Sequence, residues 1–417
     1  MKYGCIGEKL SHSFSKLIHN RLADYSYELW EIPKDKLDSF MKLRDFAAIN
    51  VTIPYKEAVI PYLDEISPEA KKIGAVNTII NRDGKLYGYN TDFFGMRSLI
   101  VSNKLSPKGK KAIILGSGGT SKTAFAVLSD LGAREILKVS RNKKDGYVTY
   151  DQVITYHSDA EFIINTTPVG MYPNIGSSPI DISAFRSLQG VVDAVYNPLR
   201  SAIVCEALKR GIPAVGGLYM LVAQAAQACE RFIKTTIPEQ KIFDVYTSLR
   251  ESTENVVLTG MPGAGKTTIG RIVAEKLGKQ FYDSDEEIVK NAKMSISEIF
   301  EKHGEAYFRR LESDTILSLS ALKNVVIATG GGAVLNSKNV DLLRENGRIY
   351  FIDRPLDSII PTNDRPLSQD RIALEKRYCE RYGIYCQSCD VHLEAGDDAE
   401  DNAKKIIEDF KNENTCY

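Results

Sequence analysis

The stretch Asn255-Val-Val-Leu-Thr-Gly-Met-Pro-Gly-Ala-Gly-Lys-Thr-Thr268 most narrows what this chain can fold into. Its β-branched run ends in Gly260, and Gly260-x-x-x-x-Gly265-Lys266-Thr267 has the spacing of a phosphate-binding loop. Glycines let successive N–H groups curl around phosphate oxygens, and the helix that follows adds its positive end. Gly263, Ala264, Gly265, Lys266, Thr267 and Thr268 are therefore candidate ATP contacts. Lys266 reaches the β- and γ-phosphates in such a loop, and Thr267 ligates Mg²⁺. A tight turn with a chance Gly-Lys-Thr is the plainer alternative, but strand, loop, lysine and following helix all agree.

The loop opens only the last part of a chain of 417 residues. That length calls for two or three domains of roughly 100–200 residues each. Lys plus Arg equals Asp plus Glu at 54 each, so no net charge favours nucleic acid or a membrane surface. The longest apolar helix candidate, Leu218–Cys229, is broken by Gln224 and Gln227 and is too short to span a bilayer. No leader-like apolar segment precedes Lys2-Tyr-Gly-Cys-Ile6, and seven scattered cysteines, an odd number, suggest reduced thiols. A cytoplasmic protein is expected. Cys386-Gln-Ser-Cys389, with Cys379 and His392 nearby, is one crowded group and lacks the two separated ligand pairs of a structural zinc site.

Residues 1–100 alternate strand-like and helix-like segments, with strands at Lys2–Gly7, Tyr27–Ile32, Ala48–Ile53, Val76–Asn81 and Lys85–Tyr89. Helices are expected at Ser11–Ala23, Tyr55–Leu63 and Pro68–Ile73, and Arg82-Asp83-Gly84 signals a hairpin. Taken singly, Ser13 and Ser15 read as helix caps, Lys56 as a solvated lysine and Asp92 as an N-cap. Four strings occur in order, however: Leu10-Ser-His-Ser-Phe-Ser-Lys-Leu-Ile-His-Asn20, Asn50-Val-Thr-Ile-Pro-Tyr-Lys-Glu57, Gly74-Ala-Val-Asn-Thr78 and Gly88-Tyr-Asn-Thr-Asp92. Together they resemble the substrate lobe of shikimate dehydrogenases. The resemblance implies that Ser13 and Ser15 hold the substrate carboxylate, with Thr52, Asn77, Asp92 and Gln224 around the ring hydroxyls. It also implies Lys56 and Asp92 as the catalytic pair. Lys16 departs from the proline usual in that family.

From 101 to 217 a second unit follows. The strand Lys111–Leu115 runs into Gly116-Ser-Gly-Gly-Thr-Ser121, a dinucleotide loop with Ser121 where the fingerprint has its third glycine. Gly116, Ser117, Gly118, Gly119 and Thr120 are the candidate contacts. The next strand, Glu135–Val139, ends in Ser140-Arg141-Asn142-Lys143-Lys144, with no acid for a ribose hydroxyl and three cations for a 2′-phosphate. NADP(H) is favoured over NAD. Phe162–Met171, Val191–Pro198 and Gly216–Ala225 again resemble shikimate dehydrogenase, which implies that Tyr196, Gly217 and Gln224 line the cleft between lobes.

Beyond the phosphate loop, Gln280–Asp285 reads as a strand whose alternation places Asp283 and Asp285 on one side. Asn324–Ala328 runs into Thr329-Gly-Gly-Gly332, where a generic ATPase has its Walker B aspartate. Residues 255–417 resemble shikimate kinase in the loop, Asp283, Asp285, Phe308-Arg309, the triple glycine, Arg365-Pro-Leu367 and Arg381-Tyr-Gly-Ile-Tyr385. This implies that Asp285, Arg309, Gly331 and Arg381 bind shikimate while Arg365 closes over the phosphates. Asp285, Lys266 and Arg365 become the catalytic set, with Thr267 and Asp283 toward the metal. The Asp353–Arg365 stretch is short for that family and carries Pro361.

The expected fold class is α/β: a two-lobed dehydrogenase, with an α/β substrate lobe (1–100 plus 218–250) and a Rossmann-like NADP lobe (101–217). A polar joint at 251–254 then leads into a P-loop domain resembling nucleoside-monophosphate kinases (255–417). The expected chemistry is NADPH-dependent reduction of 3-dehydroshikimate followed by ATP- and Mg²⁺-dependent phosphorylation of shikimate. Small molecules are the expected partners. A first half that only senses a metabolite, or one that oxidises quinate or shikimate with NAD, are the competing readings.

Overall fold

The computed structural model describes residues 2–10, 14–359 and 371–412. The chain forms two compact units: Met1–Met171, Ser177–Tyr196 and Glu206–Ser248 in the first, and Tyr172–Gly176, Asn197–Cys205 and Leu249–Tyr417 in the second. Among the described residues no helix is long and apolar enough to cross a membrane.

The first unit holds two sheets. β1 (Tyr3–Gly7), β2 (Tyr27–Glu31), β3 (Ala48–Val51), β4 (Glu65–Ile66), β5 (Thr78–Arg82) and β6 (Lys85–Tyr89) pair in the order β2-β1-β3-β5-β6-β4. β5 and β6 form the expected hairpin, with Arg82 opposite Lys85. Asp83 and Gly84 both take positive φ, 52° and 84°, which a two-residue turn between right-twisted strands requires. The helix expected over Tyr55–Leu63 is instead a run of turns ending in a short 3₁₀ segment, Ile60–Tyr62. Pro61 has no N–H to continue an α-helical ladder, and Pro54 restricts the entry. That irregular stretch carries Lys56.

The second sheet is parallel: β7 (Lys111–Leu115), β8 (Glu135–Val139), β9 (Phe162–Asn165), β10 (Gly190–Asp193) and β11 (Ala214–Val215), ordered β11-β10-β9-β7-β8. β7 is buried along its whole length, as a strand covered on both faces must be. The strand order reverses at β7, so the loop after it opens at a topological switch point. The helix Glu239–Glu251 packs back within this unit, with Tyr246 edge-on to Tyr219 and Ser248 accepting from Arg21 at 2.8 Å.

In the second unit β12 (Asn255–Thr259), β13 (Gln280–Asp283), β14 (Val325–Ala328), β15 (Gly347–Asp353) and β16 (Val391–Glu394) form a parallel sheet ordered β13-β14-β12-β15-β16. β12 is central and wholly buried, and the phosphate loop joins it to the helix Lys266–Leu277. β13 ends at Asp283, and Asp285 sits in the first turn of the helix Ser284–Ala292. The expected strand through Asp285 is thus two residues too long, because Asp283 caps the helix by accepting from the Asp285 and Glu286 amides.

The segments Tyr172–Gly176 and Asn197–Cys205 are tied into this unit by buried polar groups. The Arg200 guanidinium donates to the carbonyls of Arg344 (3.0 Å) and Gly347 (2.7 Å) and pairs with Glu254 at 3.3 Å. The Gly176 N–H donates to both carboxylate oxygens of Glu345, at 3.0 and 3.2 Å. Burial pushes the Glu345 carboxyl up to about 8; the Gly176 N–H pulls the other way, and nearby Asp341 adds to the rise. A carboxyl raised in the folded state binds extra protons there, so its contribution is full below its ordinary value of 4.5 and is lost as pH climbs to about 8. Urea midpoints followed by circular dichroism should fall across that window. Glu345→Gln should flatten the decline and leave the chain more stable than the parent at the alkaline end.

Candidate active sites

In the first unit, a cavity of about 180 Å³ gathers most of the residues marked in the sequence: Ser15, Thr52, Lys56, Asn77, Asp92, Thr120, Tyr196, Gly217 and Gln224. They come from helix starts, from turns beside the strands and from one helix interior. Ser15 opens the helix Ser15–Leu22, Asp92 opens Asp92–Ser102, and Gln224 lies on Leu218–Ile233. Ser13 lies outside the described residues. Asn50, Val51, Met220 and Leu221 also line the cavity. Asn50 belongs to one of the sequence motifs but carries no role there; it is buried near the end of β3, which brings it to the cavity.

The geometry centres on one ion pair. Lys56 Nζ donates to Asp92 Oδ2 at 2.6 Å, and Asn77 Nδ2 donates to Asp92 Oδ1 at 2.8 Å. Asn77 is itself held, its Oδ1 accepting from the Thr91 N–H at 2.7 Å. Both charged side chains are largely shielded from water, at 17% and 9% exposure, so the attraction is stronger than on a surface. Asp92 does not serve as the helix cap that a lone reading assigns it. The Phe93 N–H is taken by Asn90 Oδ1 at 3.1 Å instead.

The glycine loop faces this pair. A Cβ on Gly119 would lie 3.8 Å from Lys56 Cδ, and Thr120 lines the same cavity. Gly116 has φ 115°, Ser117 follows, Gly118 is the N-cap, and the helix Gly119–Asp130 begins immediately. Ser121, at the third-glycine position, is buried. At the end of β8, Ser140 is half-buried, while Arg141, Asn142, Lys143 and Lys144 are exposed. Lys144 and Lys138 both lie over the Tyr147 ring, at 4.7 and 4.8 Å. Lys138 is a further cation at this edge that its mid-strand position hid. A glycine loop at a helix start and a free basic edge fit a phosphorylated dinucleotide.

In the second unit a cavity of about 400 Å³ is lined by Lys266, Thr267, Asp283, Asp285, Arg309, Gly331 and Arg381, together with Pro262, Phe300, Phe308, Glu312 and Arg377. Arg365 lies outside the described residues. Lys266 Nζ is folded onto the carbonyls of Gly260 and Met261, 2.9 Å from each. Gly260, Gly263 and Gly265 take φ of 144°, 84° and 88°, the backbone a phosphate cradle needs. Ala264 is buried beneath that loop and Thr268 is exposed on the first turn of the following helix. Thr267 Oγ1 donates to Asp283 Oδ2 at 2.7 Å, which brings two hard oxygen ligands together beside the loop and suits Mg²⁺.

The triple glycine is explained by what crowds it. A Cβ on Gly330 would come within 2.5 Å of Asp285 Oδ1, one on Gly331 within 2.6 Å of the Pro262 ring, and one on Gly332 into the Arg309 guanidinium. Arg381 donates to the Gly331 carbonyl at 3.1 Å. Arg309 donates to Glu312 at 2.8 Å. Burial raises the Glu312 carboxyl above its usual range, against the opposing pull of Arg309. Glu312 and Arg377 are residues of this cavity that the sequence does not single out; the signal for Glu312 is its spacing of three from Arg309 on one helix face.

Comparisons with known proteins agree with this two-part layout. The family model of the shikimate dehydrogenase substrate binding domain matches residues 5–79, and that of shikimate kinase matches residues 262–411. An NADP-dependent shikimate dehydrogenase of Clostridium beijerinckii is 41% identical over 243 residues, 55% of this chain and 90% of the relative. A shikimate dehydrogenase structure from Peptoclostridium difficile superposes with TM-score 0.56 at 39% identity, covering 60% of this chain and 98% of its own. A chorismate mutase/shikimate 5-dehydrogenase fusion from Clostridium acetobutylicum gives 0.57 at 36%, covering 60% and 97%. The Thermus thermophilus shikimate 5-dehydrogenase, solved in complex with NADP(H) and shikimate, gives 0.54 at 28%, covering 60% and 99%.

Gly217 offers a direct test of the cleft. A Cβ there would sit 2.3 Å from the Ala194 carbonyl oxygen, which is backbone and cannot swing away. Gly217→Ala should lower turnover in the first unit at least about 10-fold, since even a shift of about 1 Å in a site is costly. Activity of the second unit, assayed on the same preparation, should stay at the parent level.

Proposed function

We propose that this chain, which belongs to the shikimate dehydrogenase family through its N-terminal part and continues into a shikimate kinase domain, catalyses two consecutive steps. The first reduces the ketone of 3-dehydroshikimate with NADPH; the second phosphorylates the shikimate so formed with ATP. The observation that carries this reading is the Lys56–Asp92 pair, 2.6 Å apart in a cleft that also receives the glycine loop.

NADPH, when bound, supplies the hydride. The chain's part is to orient the ketone and deliver a proton. Lys56 Nζ is the donor to the carbonyl oxygen, and Asp92 keeps the ammonium and a ring hydroxyl in register. Ser13 and Ser15 take the carboxylate; Thr52, Asn77, Tyr196 and Gln224 surround the ring. Gly116–Thr120 hold the pyrophosphate of the dinucleotide, Gly217 meets the cofactor in the cleft, and the cations at Arg141, Lys143 and Lys144 receive its 2′-phosphate.

In the kinase, the cradle Gly263–Thr268 and Lys266 hold the ATP phosphates, with Arg365 closing over them. Thr267 and Asp283 would hold Mg²⁺, which would neutralise phosphate charge. Asp285 orients the 3-hydroxyl of shikimate and takes its proton. Arg309 and Arg381 fork onto the carboxylate, a geometry lysine would not reproduce. Glu312 keeps the Arg309 fork aimed into the cavity.

Incubating 3-dehydroshikimate, NADPH, ATP and Mg²⁺ together should consume NADPH and release ADP in step. Lys56→Ala should cut reduction by roughly 10²- to 10⁴-fold, the usual weight of a placed acid, while shikimate-dependent ADP release continues. Lys266→Ala should do the reverse. One substitution silencing both activities in folded protein would count against independent sites. Replacing NADPH with NADH should slow reduction markedly; equal rates would favour the NAD-dependent reading.

A further inference from the structure

Behind the reductase cleft lies a residue to which no role is yet assigned. Tyr27, on β2, is fully buried and does not line the cavity. Its hydroxyl donates to Asn50 Oδ1 at 2.7 Å. Asn50 Nδ2 donates to Thr78 Oγ1 at 3.1 Å, and Thr78 Oγ1 donates to Asn77 Oδ1 at 3.1 Å. Asn77 Nδ2 donates to Asp92 Oδ1, and the other Asp92 oxygen receives Lys56. An unbroken file of hydrogen bonds thus runs from Tyr27 to Asp92, every donor pointing toward the carboxylate that Lys56 meets from the other side.

The chemistry of the groups dictates that direction. An ionised carboxylate only accepts, so Asn77 must turn its Nδ2 toward Asp92 and leave its Oδ1 to find donors. It finds the Thr91 N–H and the Thr78 hydroxyl. Asn50 turns its Nδ2 toward the Asn77 carbonyl, an acceptor only, at 3.3 Å and toward Thr78 Oγ1, and Asn50 Oδ1 is then left to the Tyr27 hydroxyl. Aligned bonds of this kind polarise one another, and in a buried site each missing donor costs more than it does in water.

Tyr27 is itself held rigidly. The His19 imidazole stacks on its ring, with centroids 3.9 Å apart and planes 9° from parallel. His19 Nδ1 is in turn bonded to Tyr25 Oη at 2.6 Å and Cys229 Sγ at 3.2 Å. Burial lowers His19 to about 3, against an opposing pull from Asn50, so the ring stays neutral. Burial also drives the Tyr27 phenol well above its ordinary range, which keeps its proton in place for donation.

We propose that Tyr27 is a positioning residue of the reductase, acting through Asn50 and Thr78 to keep the Asn77–Asp92–Lys56 set aligned for proton delivery. The proposal rests on the reductase reading. It is tested with Tyr27→Phe in the full chain, which removes one oxygen and keeps the ring stack. The unaltered chain is assayed first with 3-dehydroshikimate and NADPH; if it oxidises no NADPH, the reductase reading itself fails before any variant is examined. Given that activity, Tyr27→Phe should lower kcat about 10-fold with KM changed less than about 2-fold, part of the 10²–10⁴ that a placed acid contributes. The fall is partial because the Thr91 N–H still holds Asn77. The solvent deuterium isotope effect on kcat should rise as proton delivery becomes slower. An unchanged kcat, a rise in KM alone, or a fall in kcat with an unchanged isotope effect (simple loss of active molecules) would each overturn the proposal. Should Tyr27→Phe fail to fold, Thr78→Val breaks the same file one link nearer the site and is judged by the same outcomes.

Discussion

The backbone of a strand buried on both faces has nowhere to place an unpaired N–H or C=O except at its ends, and both sites depend on that constraint. β7 and β12 are buried along their whole length and flanked by parallel partners, so their polar groups are satisfied within the sheets. At the carboxyl ends the ladder stops. A glycine-rich turn then presents free amides at the start of a helix, Gly119–Asp130 in one unit and Lys266–Leu277 in the other. The order of neighbours reverses at each of these strands, which leaves a crevice beside the loop. The same physical solution appears twice in one chain, once for a dinucleotide and once for a nucleoside triphosphate.

The two sites then differ in how they manage charge. In the first, one lysine and one aspartate are shielded from water and fixed by an amide, an arrangement suited to moving a single proton. In the second, charges of both signs are gathered in equal number: Lys266, Arg309, Arg377 and Arg381 line one cavity with Asp283, Asp285, Glu286 and Glu312. Buried Glu312 and exposed Glu305 hold the Arg309 guanidinium between them, at 2.8 and 3.0 Å, and so fix its place at the cavity wall. Such pairs add little net stability after desolvation; their value lies in geometry.

A similar economy governs the buried polar groups of the second unit away from its cavity. Glu254 stands among Arg200, Arg250 and Arg348, all nearly without solvent contact. Removing one member of such a cluster would strand the others, whereas an apolar replacement of the whole set need not be costly. The residues at 252–254, polar by composition, are therefore packed through Thr253 and Glu254 and are not a solvated tether. Nothing in their local sequence distinguishes the two possibilities.

What the sequence determined by itself follows from local chemistry. Periodicity, glycine spacing and the Asp-Gly turn express short-range rules, and they gave both phosphate-binding loops, the hairpin and the α/β class, while ordered motifs pointed to the two families. Local rules failed where proline interrupted a helical pattern at Tyr55–Leu63 and where a cap ended a strand at Asp283. Only the tertiary structure decided that Asn50, Thr78 and Tyr27 stand in one file behind Lys56 and Asp92, that Glu312 restrains Arg309, and that Glu254 is buried. Each of these depends on side chains from separate elements meeting away from water, where a polar group must find a specific partner, and no spacing along the chain encodes which partner that is.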